Sequence, residues 1–254
     1  MAYISRNGVR LYYRAHGTGP PILLTHSYAS TSEMWAGQTK ALADKYRVIT
    51  WDMRGHGRSG SPSDQAAYSE AACVEDMAAV LDACDVERAV VAGLSLGGYM
   101  SLAFNLKYSE RVHALVVCDN GPGYKSEKSR ANWNRSVERR ALAFEEKGLD
   151  ALETIDETRA VTHRSSRGLA KAARGMMAQF GSHVINSLPH ITVPALVLVG
   201  SNDRPLLNAA MYMAEKIPRG TNVIIPDAGH IANLDQPEAF NKAVLSFLEG
   251  LRGN

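Results

Sequence analysis

Short apolar runs alternate with amphipathic stretches along most of the chain. Most of the runs lack the polar alternation of half-exposed strands, and they therefore predict strands covered on both faces. These predicted strands are 22–25, 46–51, 89–92, 114–118, 195–199 and 222–225, and the predicted helices between them are 35–45, 69–84, 98–108 and 209–217. This alternation predicts an α/β fold with a mostly parallel β-sheet flanked by helices.

The two ends of the chain carry local signals of their own. Residues 3–13 contain two short apolar segments separated by Asn7-Gly8, a pair typical of hairpin turns, which predicts an antiparallel hairpin at the sheet edge. Near the other end, Asp235 stands two residues before Pro237, and an apolar pattern of helical spacing follows. This order predicts a last helix capped by Asp235.

One segment interrupts the alternation. Residues 124–189 contain no strand-like run. Their twelve Lys/Arg and eight Asp/Glu give this segment a net charge of +4, and since the whole chain carries +2, the remainder carries −2. We predict a helical cap inserted at 122–189 between two parts of one core, 1–121 and 190–254. The alternative is that these helices form an ordinary solvated layer of the core.

Composition excludes several classes of function. A net charge of +2 is too small to indicate nucleic acid or an anionic membrane as a partner. No segment reaches the roughly 18 apolar residues of a membrane span, and no basic stretch followed by an apolar one marks a signal peptide. The three cysteines, Cys73, Cys84 and Cys118, are too few and too irregular for a disulfide framework. We therefore expect a cytoplasmic enzyme acting on a small-molecule substrate.

The segment Gly93-Leu94-Ser95-Leu96-Gly97 contains the strongest candidate chemistry. It follows a predicted strand and precedes a predicted helix, which is the context of a nucleophile elbow. In such a turn the serine stands at a strained apex, and side chains at either glycine would collide across the turn. Ser95 is the predicted nucleophile, and the alternative is an exposed serine in a glycine-rich turn.

A serine hydroxyl needs a base, and the base needs an acid that orients it. Of the eight histidines, His230 directly follows a predicted strand, so it should lie at the sheet edge where α/β sites assemble. Asp203 follows the preceding predicted strand and is the expected acid. Asp119, which follows the strand at 114–118, is the alternative.

The negative oxygen that develops during acyl transfer needs fixed donors. One should be the backbone N–H of Leu96, directly after the nucleophile. The other should come from the loop after the strand at 22–25, and we predict the N–H of Tyr28. His26, in the same loop, is expected to brace it.

Together these motifs resemble the α/β-hydrolase superfamily. Gly93–Gly98 resembles its nucleophile elbow, His26-Ser27-Tyr28 its oxyanion loop, and the segment 52–59 a structural loop in which His56 is not catalytic. Many members have glycine where Ser27 stands. Met34-Trp35 and the sequence Gly-Leu-Ser-Leu-Gly-Gly are similar to the 3-oxoadipate enol-lactonase group, and the resemblance implies that 122–189 roofs the pocket.

The residues and the resemblance lead to one expected function with open alternatives. We expect a serine hydrolase that cleaves a carboxylic ester or lactone through an acyl-enzyme, with no metal or organic cofactor. C–C bond hydrolases, cofactor-free haloperoxidases and amidases use the same three residues, and a small-molecule receptor could retain the fold. The surplus of arginine in the insertion hints at a substrate that bears a carboxylate.

Overall fold

The computed structural model describes residues 2–155 and 161–251. Eight strands in this part of the chain form one sheet in the order β1-β2-β4-β3-β5-β6-β7-β8. They are β1 (Ala2–Arg6), β2 (Val9–His16), β3 (Pro21–Thr25), β4 (Arg47–Trp51), β5 (Ala89–Leu94), β6 (Val112–Cys118), β7 (Ala195–Gly200) and β8 (Gly220–Ile225). All neighbouring pairs from β4 to β8 are parallel, whereas β2 is antiparallel to both β1 and β4. The predicted α/β fold is confirmed.

Helices lie on both faces of this sheet. They are α1 (Ala36–Leu42), α2 (Glu70–Asp82), α3 (Leu96–Lys107), α4 (Glu127–Lys147), α5 (Ser166–Ala172), α6 (His183–Ser187), α7 (Arg204–Lys216), α8 (Ala232–Asp235) and α9 (Pro237–Gly250). Alternate residues of a strand point to opposite faces. Val91 of β5 accordingly packs in the core under α2, α3 and α7, and its neighbour Val90 packs in the core under α1 and α9. Both faces of the central strands are thus covered.

The hairpin predicted at the N-terminus forms as expected. Asn7 and Gly8 both have positive φ angles, 49° and 76°, which is the backbone of the tight turn that this pair favours. β2 extends beyond the predicted segment 3–13 as far as His16, which pairs with Val48 of β4. β6 likewise begins two residues before the predicted 114 and includes His113.

Two features of the C-terminal part differ from the sequence prediction. β8 is the edge strand beside β7, and its side chains are mostly only half-buried, with Ile224 47% exposed. Asp235 does not cap α9; the N-cap is Gln236, which makes no side-chain hydrogen bond to the helix. Asp235 is instead the last residue of α8, and its carboxylate accepts a hydrogen bond from the N–H of Gly229 at 2.9 Å. The carboxylate therefore fixes a loop.

The segment between β6 and β7 contains α4, α5, α6 and short irregular helical turns, and it contributes no strand in the described residues. β6 and β7 are direct neighbours in the sheet, so this segment lies outside the sheet. Phe144 and Leu169 from it join the core cluster on the α2–α3–α7 face. Two parts of the predicted division lie outside the described residues. They are 156–160, within the predicted insertion, and 252–254, at the end of the predicted second core part.

Candidate active site

Ser95 occupies a sharp turn between β5 and α3. Its φ and ψ are 54° and −116°, a strained conformation for a residue with a side chain, and α3 begins at the next residue. The N–H of Ser95 donates to the carbonyl of Cys118 at 2.8 Å, which anchors the turn to β6. Ser95 is half-buried, whereas its neighbours from 91 to 100 are all buried. The turn thus presents one hydroxyl at the sheet edge, as the elbow motif predicts.

Close backbone contacts require the two glycines of this turn, but for different reasons. A Cβ at Gly93 would lie 2.2 Å from the carbonyl of Gly97, so the collision across the turn is confirmed there. A Cβ at Gly97 would instead lie 2.1 Å from the carbonyl oxygen of Thr25, at the end of β3. The closest contact of Gly97 is thus with the end of β3 and not across the turn. Its missing side chain lets α3 approach the loop that follows β3.

Hydrogen bonds hold the loops after β7 and β8 together. The N–H of Asn202 donates to the carbonyl of Ala228 at 2.8 Å, and the N–H of Ser201 donates to the carbonyl of Ile225 at 2.9 Å. In the opposite direction, the N–H of Asp227 donates to the hydroxyl of Ser201 at 2.9 Å. The first loop leads to Asp203 and the second to His230. Parallel strands end at the same edge, and these bonds fix the two loops against each other there.

The structure brings Ser95, His230 and Asp203 into one hydrogen-bonded chain. Nδ1 of His230 lies 2.7 Å from Oδ2 of Asp203, and Nε2 lies 3.0 Å from Oγ of Ser95. A carboxylate only accepts, so Nδ1 carries the hydrogen and Nε2 is the acceptor for the hydroxyl. The Asp203 side chain is 8% exposed and that of His230 is 29% exposed. This arrangement can draw a proton from the hydroxyl while a fixed negative charge stabilises the resulting imidazolium.

Asp119, the alternative acid, has different partners. Its Oδ1 accepts a hydrogen bond from the N–H of Gly200 at 2.7 Å, at the point where β7 ends. The side chain is fully buried, and burial raises the pKa of its carboxyl to about 7. The acid that hydrogen-bonds the imidazole of His230 is therefore Asp203, and Asp119 fixes the strand from which the Asp203 loop departs.

The loop after β3 is buried throughout and lies beside Ser95. His26 braces it as expected, because its Nε2 accepts from the N–H of Met53 at 2.9 Å and its Nδ1 donates to the carbonyl of Ser27 at 2.7 Å. Burial lowers the pKa of His26 to about 4, which keeps the ring neutral. Ser27 does not have a positive φ, whereas Ala29 has a φ of 56°. The position where many hydrolases have glycine thus accepts serine here without backbone strain.

The two expected oxyanion donors belong to residues that line the same cavity as Ser95. Leu96 is the first residue of α3, so its N–H has no acceptor within the helix. Tyr28 is buried, and its hydroxyl donates to the carbonyl of Leu169 in α5 at 2.9 Å. The ring centroid of His56 lies 5.6 Å from that of Tyr28, and its Nδ1 hydrogen-bonds the carbonyl of Arg54, whereas the imidazole bonded to Ser95 is that of His230.

A cavity of about 470 Å³ opens above the Ser95 hydroxyl. Ser95, Asp203 and His230 line one side of it. Residues from the segment between β6 and β7 line much of the rest: Pro122, Gly123, Tyr124, Trp133, Arg140, Met177 and Gln179. Its wall is mostly apolar, with a few polar groups, as is typical of small-molecule sites.

Arg140 is a charged group of this cavity. Its guanidinium lies 5.8 Å from the centroid of the Tyr28 ring and forms no ion pair with any carboxylate in the described part of the chain. Arg174, by contrast, is bound by both Glu138 and Glu145. The excess of arginine is visible in the sequence, but Arg140 cannot be singled out there, because helix periodicity does not tell which arginines already have partners.

No cluster of three or more His, Cys, Asp or Glu side chains within 2–155 and 161–251 has the arrangement of a metal site. The three cysteines are buried and free of disulfide bonds. Over the same ranges, no helix has the length and apolar character that crossing a membrane requires.

Comparison with known proteins identifies the family of this chain. The sequence model described as "Alpha/beta hydrolase family" matches residues 15–243. The chain belongs to the alpha/beta hydrolase family. Among curated members, 3-oxoadipate enol-lactonase 1 of Acinetobacter baylyi is 27% identical, and the match covers 98% of this chain and 96% of that protein.

Solved structures of an esterase and an enol-lactonase superpose over nearly the whole chain. A thermophilic esterase from Thermogutta terrifontis has a TM-score of 0.83 and 29% identity, covering 99% of each chain. The enol-lactonase from Burkholderia xenovorans has a TM-score of 0.78 and 28% identity, covering 98% of this chain and all of that one. The predicted resemblance to the family is confirmed, including relatives of the enol-lactonase and esterase kind.

Proposed function

We propose that this protein is a serine hydrolase that cleaves a carboxylic ester or lactone through an acyl-enzyme. The observation that carries the proposal is the 3.0 Å contact between Ser95 Oγ and His230 Nε2, on a ring whose other nitrogen is held by Asp203 at 2.7 Å. Relatives named as enol-lactonases and an esterase support an ester or lactone as the bond cleaved.

The proposed reaction has two half-reactions. Ser95 Oγ attacks the carbonyl carbon while its proton passes to His230 Nε2, and the oxyanion accepts hydrogen bonds from the N–H groups of Tyr28 and Leu96. Collapse of this intermediate breaks the bond to the leaving alkoxide, which takes the proton from His230. Water then attacks the acyl group with His230 again as base, and the proton returns to Ser95 Oγ as the acid leaves. Asp203 keeps the ring oriented throughout.

The segment 122–189 is proposed to act as a cap over the pocket. It supplies seven lining residues of the cavity, and the hydroxyl of Tyr28 donates to its Leu169 carbonyl. Arg140 in this segment favours a substrate with a carboxylate, because a guanidinium binds a carboxylate through two parallel hydrogen bonds. The apolar wall would receive the remainder of the substrate.

A burst assay tests the proposed nucleophile. With p-nitrophenyl acetate, the wild type should release p-nitrophenol in a burst equal to the enzyme concentration, and Ser95→Ala should give none. A fluorophosphonate should form a one-to-one adduct with the wild type that Ser95→Ala cannot form. Ser246→Ala, which removes an exposed hydroxyl on α9, is the matched control and should behave as the wild type. A burst that persists in Ser95→Ala would refute the proposal.

A further inference from the structure

A histidine outside the proposed catalytic residues connects the insertion to the oxyanion loop. His163 precedes α5, and it is buried while both neighbours, Thr162 and Arg164, are exposed. Its side chain therefore points into the protein from an otherwise solvated stretch. From the sequence alone it is one of several histidines in or beside helical or linker stretches, with no assigned role.

Hydrogen bonds on both nitrogens fix the state of this ring. Nδ1 lies 3.1 Å from the backbone nitrogen of Gly57, whose N–H can only donate, so Nδ1 is an acceptor. Nε2 then carries the hydrogen and donates to the carbonyl of Ala29 at 2.9 Å. Burial lowers the pKa of His163, in keeping with a neutral ring. One side chain thus joins the insertion to two core loops.

The carbonyl that His163 holds belongs to the strained residue of the oxyanion loop. Ala29 has a φ of 56°, a left-handed conformation that is unfavourable for a residue with a side chain. The peptide unit that joins Ala29 to Ser30 is held at both ends, because its carbonyl accepts from His163 and its N–H donates to the carbonyl of Ser27 at 3.2 Å. Tyr28, whose N–H is the proposed oxyanion donor, lies inside this turn.

We propose that His163 is a positioning residue that holds the Ser27–Ser30 turn in the shape that aims the Tyr28 N–H at the oxyanion. The proposal rests on the proposed function. Oxyanion donors act only when they are aligned within about 0.5 Å of the productive geometry, so a turn released at Ala29 lowers the rate even though every reacting group remains. The insertion then contributes to turnover as well as to the pocket wall.

Two amide variants separate the two hydrogen bonds. In His163→Gln the side-chain nitrogen can reach the position of Nε2 and donate to Ala29, whereas in His163→Asn the side-chain oxygen can take the place of Nδ1 and accept from Gly57. His163→Ala loses both bonds. Each variant is compared with the wild type by kcat and KM for p-nitrophenyl acetate, by the rate of fluorophosphonate labelling and by the midpoint of thermal unfolding.

The expected result is a split between the amides. His163→Ala and His163→Asn should lower kcat and the labelling rate by about 10- to 100-fold, with KM changed less than about 3-fold. This loss is smaller than the roughly 10²- to 10³-fold decrease in kcat that follows removal of a whole oxyanion donor. His163→Gln should restore most of kcat. If kcat instead follows the unfolding midpoint across all three variants, or if asparagine rescues and glutamine does not, the positioning role is refuted. A wild type that forms no adduct at Ser95 refutes the proposed function itself, and this proposal with it.

Discussion

Exchanging Asp203 for asparagine removes the charge behind the His230 ring and leaves its volume almost unchanged. The carboxylate now accepts a hydrogen bond from Nδ1 at 2.7 Å, a charge-assisted distance. An asparagine can present its NH₂ group to Nδ1, which moves the ring hydrogen to Nε2, where it faces the Ser95 hydroxyl. Nε2 then cannot accept the proton of that hydroxyl.

The expected loss follows from this change of tautomer. In the best-studied serine triad the same substitution lowers kcat by about 10⁴, which at 1.36 kcal/mol per factor of ten corresponds to about 5.5 kcal/mol of transition-state stabilisation. We expect a loss of that order in Asp203→Asn, with KM for p-nitrophenyl acetate changed much less. The folded structure should be retained, so thermal unfolding serves as the check that activity is lost for a chemical reason.

Asp119→Asn is the matched comparison. The two carboxyl groups belong to neighbouring loops at one sheet edge, but Asp119 bonds the backbone of Gly200 and the amide oxygen of asparagine can keep that bond. We expect less than about a tenfold loss of kcat. If Asp119→Asn abolishes turnover while Asp203→Asn does not, the assignment of the acid is wrong and the contact in the structure is not the one used in the reaction.

Three further outcomes are expected. Arg140→Gln should lower kcat/KM for an ester bearing a distal carboxylate by about 10- to 100-fold relative to a neutral ester, since charge-assisted hydrogen bonds contribute about 1.5–3 kcal/mol, and Arg139→Gln on the exposed face should not change the ratio. Gly97→Ala should destabilise the protein by more than about 2 kcal/mol in denaturant unfolding and block fluorophosphonate labelling of Ser95, because the new Cβ would lie 2.1 Å from the carbonyl oxygen of Thr25. Gly37→Ala is the control, because a Cβ there meets no atom within 4 Å, and it should change neither stability nor labelling to this extent. The pKa of the Asp119 carboxyl rises from 3.8 to about 7 on folding, so its contribution to stability is present below pH 4 and is lost as pH rises to 7. Over that interval Asp119→Asn should gain stability relative to the wild type, by on the order of 4 kcal/mol at 1.36 kcal/mol per pH unit. A stability difference that does not vary with pH would contradict the raised pKa.

The parts of this fold that follow from periodicity were predictable from sequence. A parallel strand buried on both faces is a continuous apolar run, so β5, β6 and β7 were found within a few residues. Their carboxyl ends must meet at one edge, and that rule brings Ser95 together with Asp203 and His230, which follow it by more than a hundred residues. β8 was also predicted, but as a buried strand, because an apolar run does not distinguish a central strand from one at the edge of the sheet.

Single side chains that bond the backbone of distant loops were not predictable, and Asp235 illustrates the reason. An aspartate two residues before a proline fits an N-cap, but the same carboxylate satisfies the N–H of Gly229 in the loop that presents His230. His163 is a second case, since its partners at Ala29 and Gly57 lie more than a hundred residues away and leave no periodic trace. Both side chains bond the backbone of loops, which have no regular backbone hydrogen bonds of a helix or sheet to hold them in place. It follows that the loops which aim the proposed catalytic groups depend on side chains that local pattern assigns to capping or to linkers, and substitutions there should alter turnover more than their position in the sequence suggests.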